Sequence, residues 1–359
     1  MNNTRLIIVE QLNPGMVIAE DVYDNRGHLI VSHELPISEK MIMRLKLYSI
    51  ERVKVYYQSG DSTRSQQGRV KQNNVIARSL EFEEFKQKYV KNVDEFKYTI
   101  NDIVYGNEPI DKNRLLKNIN QFIDESPSKA QLFYMLRHLK QYDDSVYMHS
   151  YNVAIICKMF GIWLKKSEEE IEVLTMCGLM HDIGMFVILE ESINENLNLN
   201  QIYEEKLKEH VIKGYEILKN EDIDDRVKFV ALQHHERRNG SGYPKGLKGN
   251  EMCEFAQIVA IADTYDDMTA RNQKLPVSPF KVFDFFQEEG YDLFESEFLL
   301  PFIEKTEETY LHNKVTLTNG VEGEIILLNG QQKSRPLIKT QYGFIDLNAE
   351  RNIEIEDVL

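Results

Sequence analysis

The chain of 359 residues is long enough for two or three domains, and its 42% apolar and 28% charged residues are typical of a globular protein. The net charge of −15 argues against binding to DNA or RNA polymers, because such binding requires a basic surface. No apolar run approaches the roughly 18 residues of a membrane helix, and no cleavage site follows the N-terminal residues. We therefore expect a cytoplasmic protein without membrane insertion.

Residues 1–58 are predicted to form a small β-rich module. Apolar stretches alternate with sequences that favour turns, Asn-Pro-Gly and Asp-Asn-Arg-Gly. The predicted strands and the single predicted helix of this module are Leu6–Val9, Met16–Ala19, Leu29–Val31, the helical segment Ser38–Tyr48, and Val53–Tyr57.

The rest of the chain changes pattern twice. Residues 59–126 begin with a polar linker and continue as charged connecting helices, and 127–310 are helical apart from a Gly-rich loop at 239–249. Residues 311–359 form a second β-rich module, with predicted strands at Val315–Leu317, Glu324–Leu328 and Leu337–Thr340. The predicted fold class is mainly α, with a central all-helical domain flanked by small β-rich N- and C-terminal modules.

Histidines cluster where the core of the helical domain is expected, since five of the nine fall between positions 149 and 235. His149 is followed at helical spacing by apolar residues such as Val153 and Phe160, which places it on the apolar face. The same spacing to apolar neighbours applies to His181, His210, His234 and Asp263. Burying an unpaired imidazole or carboxylate costs several kcal/mol, so such groups must be paired, hydrogen-bonded or bound to metal.

One histidine on an apolar face is more often a core residue than a ligand. Five histidines and two aspartates in one helical segment, including the adjacent pairs 181–182 and 234–235, instead favour a shared metal site. The nitrogen and oxygen ligands, without thiolate, suit iron, manganese or zinc. Seven ligands exceed the needs of one catalytic metal and suit two metals roughly 3.5–4 Å apart.

These residues carry a family pattern. In order and spacing, about 130–290 resembles the HD-GYP family through His149-Ser150-Tyr151-Asn152-Val153, His181-Asp182-Ile183-Gly184, His210, His234-His235-Glu236-Arg237, Gly240-Ser241-Gly242-Tyr243-Pro244 and Ile261-Ala262-Asp263. The resemblance implies an HD-domain fold and a bacterial source. It also implies hydrolysis of cyclic di-GMP to the linear dinucleotide or to GMP, and it allows pairing into a homodimer.

The resemblance further implies two divalent metal ions, with iron or manganese favoured. One metal would be bound by His149, His181, Asp182 and Asp263. The other would be bound by His210, His234 and His235, with Asp182 as the bridge. A hydroxide between the metals would attack phosphorus.

Other positions take their roles from the same resemblance. Asp266 matches an aspartate near the nucleophile and could accept or orient its proton, although a surface carboxylate would have the same spacing. Substrate binding is expected from the loop 239–249 and nearby basic residues, namely Arg237, Gly242, Tyr243, Pro244, Arg271 and Lys274. The spacing from Asp263 to the last two is one residue shorter than in the family.

Three positions depart from the family pattern, while Asp143 matches a common family aspartate. Met185 stands where active members usually carry the lysine of HDIGK, a cation near the scissile phosphate. Ser145 replaces a glutamate that binds a third metal in some members, which favours two metals. Asn239 replaces the aspartate before the GSGYP sequence.

Four functions fit these observations. The presence of all seven ligands favours an active cyclic di-GMP phosphodiesterase, whereas Met185 supports a slow or inactive receptor that binds the same dinucleotide. A hydrolase for another cyclic dinucleotide or nucleotide is a third reading. A helical bundle with core histidines and no metal is the fourth.

Overall fold

The protein is described by a computed structural model that is mainly helical, with small antiparallel sheets at both ends, as predicted. The structure describes residues 3–12, 16–23, 29–31, 33, 37, 41–42, 45, 50, 52–57, 80–106, 108–126, 132–139, 145–194, 205–269 and 278–359. The chain divides into two compact units, Met1–Gln72 with Phe186–Leu207, and Asn73–Met185 with Lys208–Leu359.

The N-terminal unit contains a three-stranded antiparallel sheet with β5 between β1 and β2, and a separate hairpin of β3 and β4. The strands are β1 (Asn3–Ile8), β2 (Val17–Ile18), β3 (Val22–Tyr23), β4 (Leu29–Val31) and β5 (Arg52–Tyr57). On β5, Val53 and Val55 are buried while Lys54 between them pairs with Glu20 on the other face. This alternation is the period-two pattern that predicted the strand. Most of the predicted helix at Ser38–Tyr48 and the polar linker lie outside the described residues.

The larger unit is mainly helical. They are α1 (Leu80–Gly106), α2 (Lys112–Asp124), α3 (Leu132–Leu139), α4 (Val146–Trp163), α5 (Glu168–Met180), α6 (Ile183–Asn194), α7 (Glu205–Lys208), α8 (His210–Leu218), α9 (Asp225–Gln233), α10 (Glu254–Thr269), α11 (Pro279–Glu288), α12 (Gly290–Leu293) and α13 (Ser296–Glu308). The residues of α6 from Phe186 onward, and those of α7 up to Leu207, are grouped with the N-terminal unit.

Local sequence fixes several helix starts. At α5, the Ser167 hydroxyl accepts a hydrogen bond from the Glu170 backbone N–H (3.3 Å), and the Glu170 carboxylate accepts one from the Ser167 N–H (2.9 Å). This capping box satisfies N–H groups that a helix leaves unpaired. At α4 the cap is Ser145, whose hydroxyl accepts from the Met148 N–H at 3.3 Å. Ser145 therefore has a structural role in this chain.

Helices α4, α5 and α10 form the centre of the larger unit. Helix α4 is buried on almost every side, and its residues Ile155, Ile156 and Phe160 are almost completely inaccessible to solvent. The stretch Glu168–Glu191 is long and apolar enough to span a membrane, but 72% of its most apolar window is buried inside the protein. Burial in the fold thus accounts for its apolar character.

The C-terminal module is a five-stranded antiparallel sheet of order β10-β6-β7-β8-β9. Its strands are β6 (Lys314–Leu317), β7 (Glu322–Leu327), β8 (Leu337–Thr340), β9 (Gly343–Asp346) and β10 (Ile355–Val358). The buried Arg137 of α3 donates hydrogen bonds to the Val358 carbonyl (3.2 Å) and to the Asp357 carboxylate (2.5 Å). This sheet therefore packs on the helical domain within one compact unit. The sequence analysis did not identify β9 and β10.

Near this sheet, Glu307 of α13 is almost completely buried and lies 3.5 Å from the Lys333 ammonium. Burial raises the pKa of the Glu307 carboxyl to about 7, although Lys333 opposes the shift. The folded state therefore holds this proton over a pH range in which the unfolded chain, with an ordinary glutamate, has released it. Stability contributed by the protonated carboxyl is lost as pH rises from about 4.5 to about 7.

We expect Glu307→Gln to remove this loss, because glutamine does not ionise. Between pH 4.5 and 7 the free energy of unfolding of the wild type should fall by on the order of 2 kcal/mol more than that of the variant. Urea unfolding at several pH values measures the difference. The exposed neighbour Glu308→Gln is the control and should follow the wild type. Parallel curves for wild type and Glu307→Gln would contradict the assignment.

Candidate metal centre

The structure brings all seven predicted ligands together. They come from α4, the α5–α6 junction, the start of α8, the end of α9 and the middle of α10, and they are His149, His181, Asp182, His210, His234, His235 and Asp263. Three overlapping groups have ligand atoms close enough to bind a metal: Asp182 with His210, His234 and His235; His149 with His181 and Asp182; and His149 with Asp263 and Asp267.

Asp182 lies between two groups of imidazoles and directs one carboxylate oxygen to each. Its Oδ2 is 3.7 Å from His149 Nε2 and 3.6 Å from His181 Nε2. Its Oδ1 is 3.2 Å from His210 Nε2 and 3.4 Å from His234 Nε2. The carboxylate thus has the arrangement expected of a bridging ligand.

The first group is completed by Asp263 of α10. Its Oδ1 is 3.1 Å from His149 Nε2 and 3.6 Å from His181 Nε2. These two Nε2 atoms are themselves 3.2 Å apart. In the second group, the Nε2 atoms of His210 and His234 are also 3.2 Å apart.

Hydrogen bonds at the opposite side of the rings indicate the protonation of these histidines. His181 Nδ1 lies 2.8 Å from the Gly178 carbonyl oxygen, and His234 Nδ1 lies 3.0 Å from the Val230 carbonyl oxygen. A carbonyl only accepts, so we assign the proton of each neutral ring to Nδ1 and a lone pair to Nε2. Both residues follow directly after a helix, α5 and α9 respectively. The sequence analysis expected both residues to lie within helices. Each instead lies one residue beyond the helix end, where its ring caps the last turn.

Convergent lone pairs fit a divalent cation. Nε2 lone pairs 3.2 Å apart repel one another unless a proton or a metal lies between them. The Asp182 Oδ1 atom is buried and accepts no hydrogen bond within the described part of the chain. An unsatisfied buried carboxylate oxygen is costly, and coordination of a cation would remove the cost.

Burial and neighbouring charges set the ionisation of the centre. Burial lowers the pKa of His234, and burial with the neighbouring His234 lowers that of His235 further, which favours the neutral, ligating form. Burial opposes ionisation of Asp182, but the imidazoles led by His181 hold its pKa well below the usual range. Burial also opposes ionisation of Asp263, but His149 and His181 hold the pKa of that carboxyl well below the usual range.

Helix α10 carries two more carboxylates beside His149. Asp266 is buried, and its Oδ2 accepts a hydrogen bond from His149 Nδ1 at 2.9 Å. A carboxylate in this position orients the ring and directs the Nε2 lone pair toward the metal side. Asp267 was not identified from the sequence, although it follows Asp263 by one helical turn. Its side chain is 64% exposed, and its Oδ1 lies 3.6 Å from His149 Nδ1.

The pKa of Asp267 is raised to about 7, first because the surrounding protein displaces water around the carboxyl and second because Asp263 is negatively charged. Burial lowers the pKa of the His149 imidazole, whereas the nearby carboxylates raise it. The charges of Asp267, Asp263 and Asp266 prevail and raise the pKa of that imidazole well above its usual value. Three carboxylates therefore surround the one imidazole of His149 on this side of the centre.

The loop 239–249 is anchored beside the second ligand group. Glu236 is fully buried, and its carboxylate accepts backbone hydrogen bonds from Lys245 (2.7 Å) and Leu247 (2.9 Å). The ring of Tyr243 stacks on the His235 ring, with centroids 4.7 Å apart. A Cβ atom on Gly242 would lie 2.3 Å from the His235 carbonyl oxygen, so only glycine fits there. The sequence analysis assigned no role to Glu236, which fixes the loop.

The predicted substrate-binding residues have different surroundings. The Arg237 guanidinium donates to the His234 and Glu236 carbonyls (2.9 and 3.0 Å) and lies over the Phe294 ring. Pro244 is exposed at the tip of the loop. Asn239 accepts from the Ser241 N–H at 2.9 Å, a role that aspartate would also fill. Asp143, Arg271 and Lys274 lie outside the described residues.

Comparison with known proteins agrees with this geometry. Residues 128–292 match the family described as HD domain. A 158-residue segment is 30% identical to the cyclic di-GMP phosphodiesterase response regulator RpfG of Xanthomonas campestris pv. campestris, covering 43% of this chain and 41% of that protein. A cyclic di-GMP phosphodiesterase of Thermotoga maritima is 32% identical over 140 residues, 38% of each chain. The chain carries an HD-GYP domain.

Two further comparisons concern another relative and a solved structure. The 3'3'-cGAMP-specific phosphodiesterase 2 of Vibrio cholerae is 27% identical over 43% of this chain and 30% of that protein. The chain thus spans less than half the length of these relatives. The structure of Bd1817, an HDG"Y"P protein from Bdellovibrio bacteriovorus, has the same fold, with a TM-score of 0.50, 17% identity and coverage of 84% of this chain and 98% of that one. The predicted family and HD-domain fold are confirmed.

Gly184 of the HD-GYP domain lies at the start of α6, directly against α8. A Cβ atom there would lie 2.0 Å from the His210 carbonyl oxygen and 2.5 Å from the Gly214 nitrogen. We expect Gly184→Ala to push α8 away, displace His210 and cost about 1–3 kcal/mol of stability. Urea unfolding and metal analysis measure both effects. Gly330→Ala, where a Cβ meets nothing within 4 Å, is the control. Equal stability of the two variants would contradict the close approach.

Removal of Asp182 and of His235 should have different consequences for metal content. Asp182→Ala removes a ligand from both groups, so we expect both metals to be lost. His235→Ala affects only the second group, and the first metal should remain. Elemental analysis after purification without chelators measures the content. Asp225→Ala, an exposed aspartate on the same domain, is the control. Equal metal content in Asp182→Ala and His235→Ala would argue against a bridge.

Proposed function

We propose that the protein is a metal-dependent phosphodiesterase that hydrolyses cyclic di-GMP in bacterial second-messenger signalling. The observation that carries this proposal is the Asp182 carboxylate, which presents one oxygen to each of two groups of histidines. The relatives named as cyclic di-GMP phosphodiesterases, and the HD domain that they share with this chain, support the choice of reaction and substrate.

Two divalent metals would be held here, one by His149, His181, Asp182 and Asp263, and the other by Asp182, His210, His234 and His235. Nitrogen and oxygen ligands without thiolate favour iron or manganese. Bound metals would supply Lewis-acid stabilisation of the phosphoryl oxygens and would lower the pKa of coordinated water. Hydrolysis adds one water across a P–O bond, with one oxygen leaving as a ribose hydroxyl.

The residues around the ligands would do the remaining work. Asp266 would hold His149 in its ligating orientation through the 2.9 Å hydrogen bond to Nδ1. The sequence analysis placed Asp266 beside the nucleophile as a proton acceptor, and burial behind His149 makes positioning the better-supported role. Asp267 lies on the exposed side of His149 and could receive the proton that hydrolysis releases.

A second function is favoured by one observation. Met185 lies in the first turn of α6, three residues after Asp182, which directly precedes that helix. Side chains three residues apart in a helical turn are neighbours, so position 185 is close to the bridging carboxylate in sequence and in the helical turn. A lysine there would place a cation beside the scissile phosphate, whereas a thioether does not. A protein that binds the dinucleotide without cleaving it efficiently would serve as a receptor.

The test is turnover by the metal-loaded protein. We expect hydrolysis of cyclic di-GMP with added manganese or ferrous iron, and we expect Met185→Lys to raise kcat at least about tenfold, because a donor to the transition state is worth several kcal/mol. Met185→Leu is the matched control. Chromatography of products against cyclic di-GMP and 3'3'-cGAMP identifies the preferred substrate. Tight binding without turnover would establish the receptor, and preference for 3'3'-cGAMP would change the substrate.

A further inference from the structure

Lys208 is a basic residue for which the site described so far has no role. It ends α7, two residues before the ligand His210. Its ammonium lies over the ring of Tyr243, 5.7 Å from the centroid. Tyr243 in turn stacks on His235 with a centroid distance of 4.7 Å and an interplanar angle of 25°. The Tyr243 ring also makes an edge contact with His210, with centroids 6.4 Å apart.

These contacts link Lys208 to two ligands of the second metal group through one aromatic ring. An ammonium over an aromatic face is attracted by the electrons of the ring, enough to bias a flexible, exposed side chain. Tyr243 is fixed by its stacking on His235 and by the Tyr243 N–H, which donates to the His235 carbonyl at 3.2 Å. Because the Tyr243 ring contacts both the ammonium and these two ligands, it keeps the ammonium near the second ligand group.

The ammonium is available to a ligand. Lys208 is exposed, and among the described residues no carboxylate lies within ion-pair distance of it. Nearby guanidinium groups are engaged differently, since Arg237 donates to two backbone carbonyls and Arg238 pairs with Glu295 at 3.1 Å. Asp182, Asp263 and Asp267 place carboxylates at the centre, and a nearby positive charge favours binding of an anionic phosphate there.

We propose that Lys208 is a substrate-binding residue, whose ammonium over the Tyr243 ring pairs with a phosphate oxygen of the substrate. The inference rests on the proposed function and deepens it, because Lys208 supplies a cation near the centre although Met185 carries no charge. Lys208 would act on binding of the phosphate in the ground state and in the transition state alike. Its loss should therefore raise KM and leave kcat nearly unchanged.

The variants are Lys208→Met, which keeps the length and removes the charge, and Lys208→Arg, which keeps the charge. Lys219→Met, at the far end of α8 and paired with Glu216, is the matched control. With metal-loaded protein we expect Lys208→Met to raise KM for cyclic di-GMP about tenfold or more, since the variant loses a charge-assisted contact to phosphate. Lys208→Arg should keep most of the affinity.

A second probe separates this inference from the proposed function. Inorganic phosphate binding to the same metal-loaded proteins, followed by calorimetry, requires neither turnover nor nucleotide recognition. We expect Lys208→Met to weaken phosphate about tenfold, with metal content and thermal stability equal to those of Lys219→Met. Unchanged phosphate affinity and unchanged KM would overturn the role of Lys208 while leaving the enzyme intact. Loss of phosphate affinity in a protein without turnover would support Lys208 and overturn the phosphodiesterase.

Discussion

The mutual repulsion of lone pairs around Asp182 is the constraint on which the HD domain depends. Four imidazole nitrogens and one carboxylate are buried together, with distances of 3.2 Å between paired Nε2 atoms. A protein core tolerates such a cluster only when a cation or protons compensate it. The surrounding hydrogen bonds place the protons of His181 and His234 on the outer ring nitrogens, so the inner positions are left for metal.

The fold meets this constraint with helix ends more than with helix faces. His181 and His234 directly follow α5 and α9, and His210 begins α8, so three backbones approach the same point. Close approach of α6 and α8 requires Gly184, and close approach of the loop to the ligand pair requires Gly242. Glu236 then fixes the loop from within. The helices of the HD domain therefore set the distances between the predicted ligands, and several of these ligands lie at helix termini.

Much of this was predictable because polar residues at apolar spacing are conspicuous in a sequence. His149 and Asp263 lie on helix faces, where periodicity applies directly, and the strands of alternating pattern such as β5 and β8 were also identified. Asp267 was missed because its exposed carboxylate resembles any surface aspartate. Glu236 was missed because a loop has no period from which to infer an inward direction. The proposed role of Lys208 rests on a contact with Tyr243, which is 35 positions away in the sequence. No local sequence pattern indicates such a contact.

The scattering of ligands from His149 to Asp263 has a thermodynamic consequence. No short segment can hold a metal before the helices have assembled, so a metal would bind the folded domain in strong preference to the unfolded chain. Binding of that kind would add RT ln(1 + [L]/Kd) to stability, about 4 kcal/mol for each proposed metal at a thousandfold excess over Kd. The supply of metal would then govern how long the folded protein persists, in addition to whether its centre is complete.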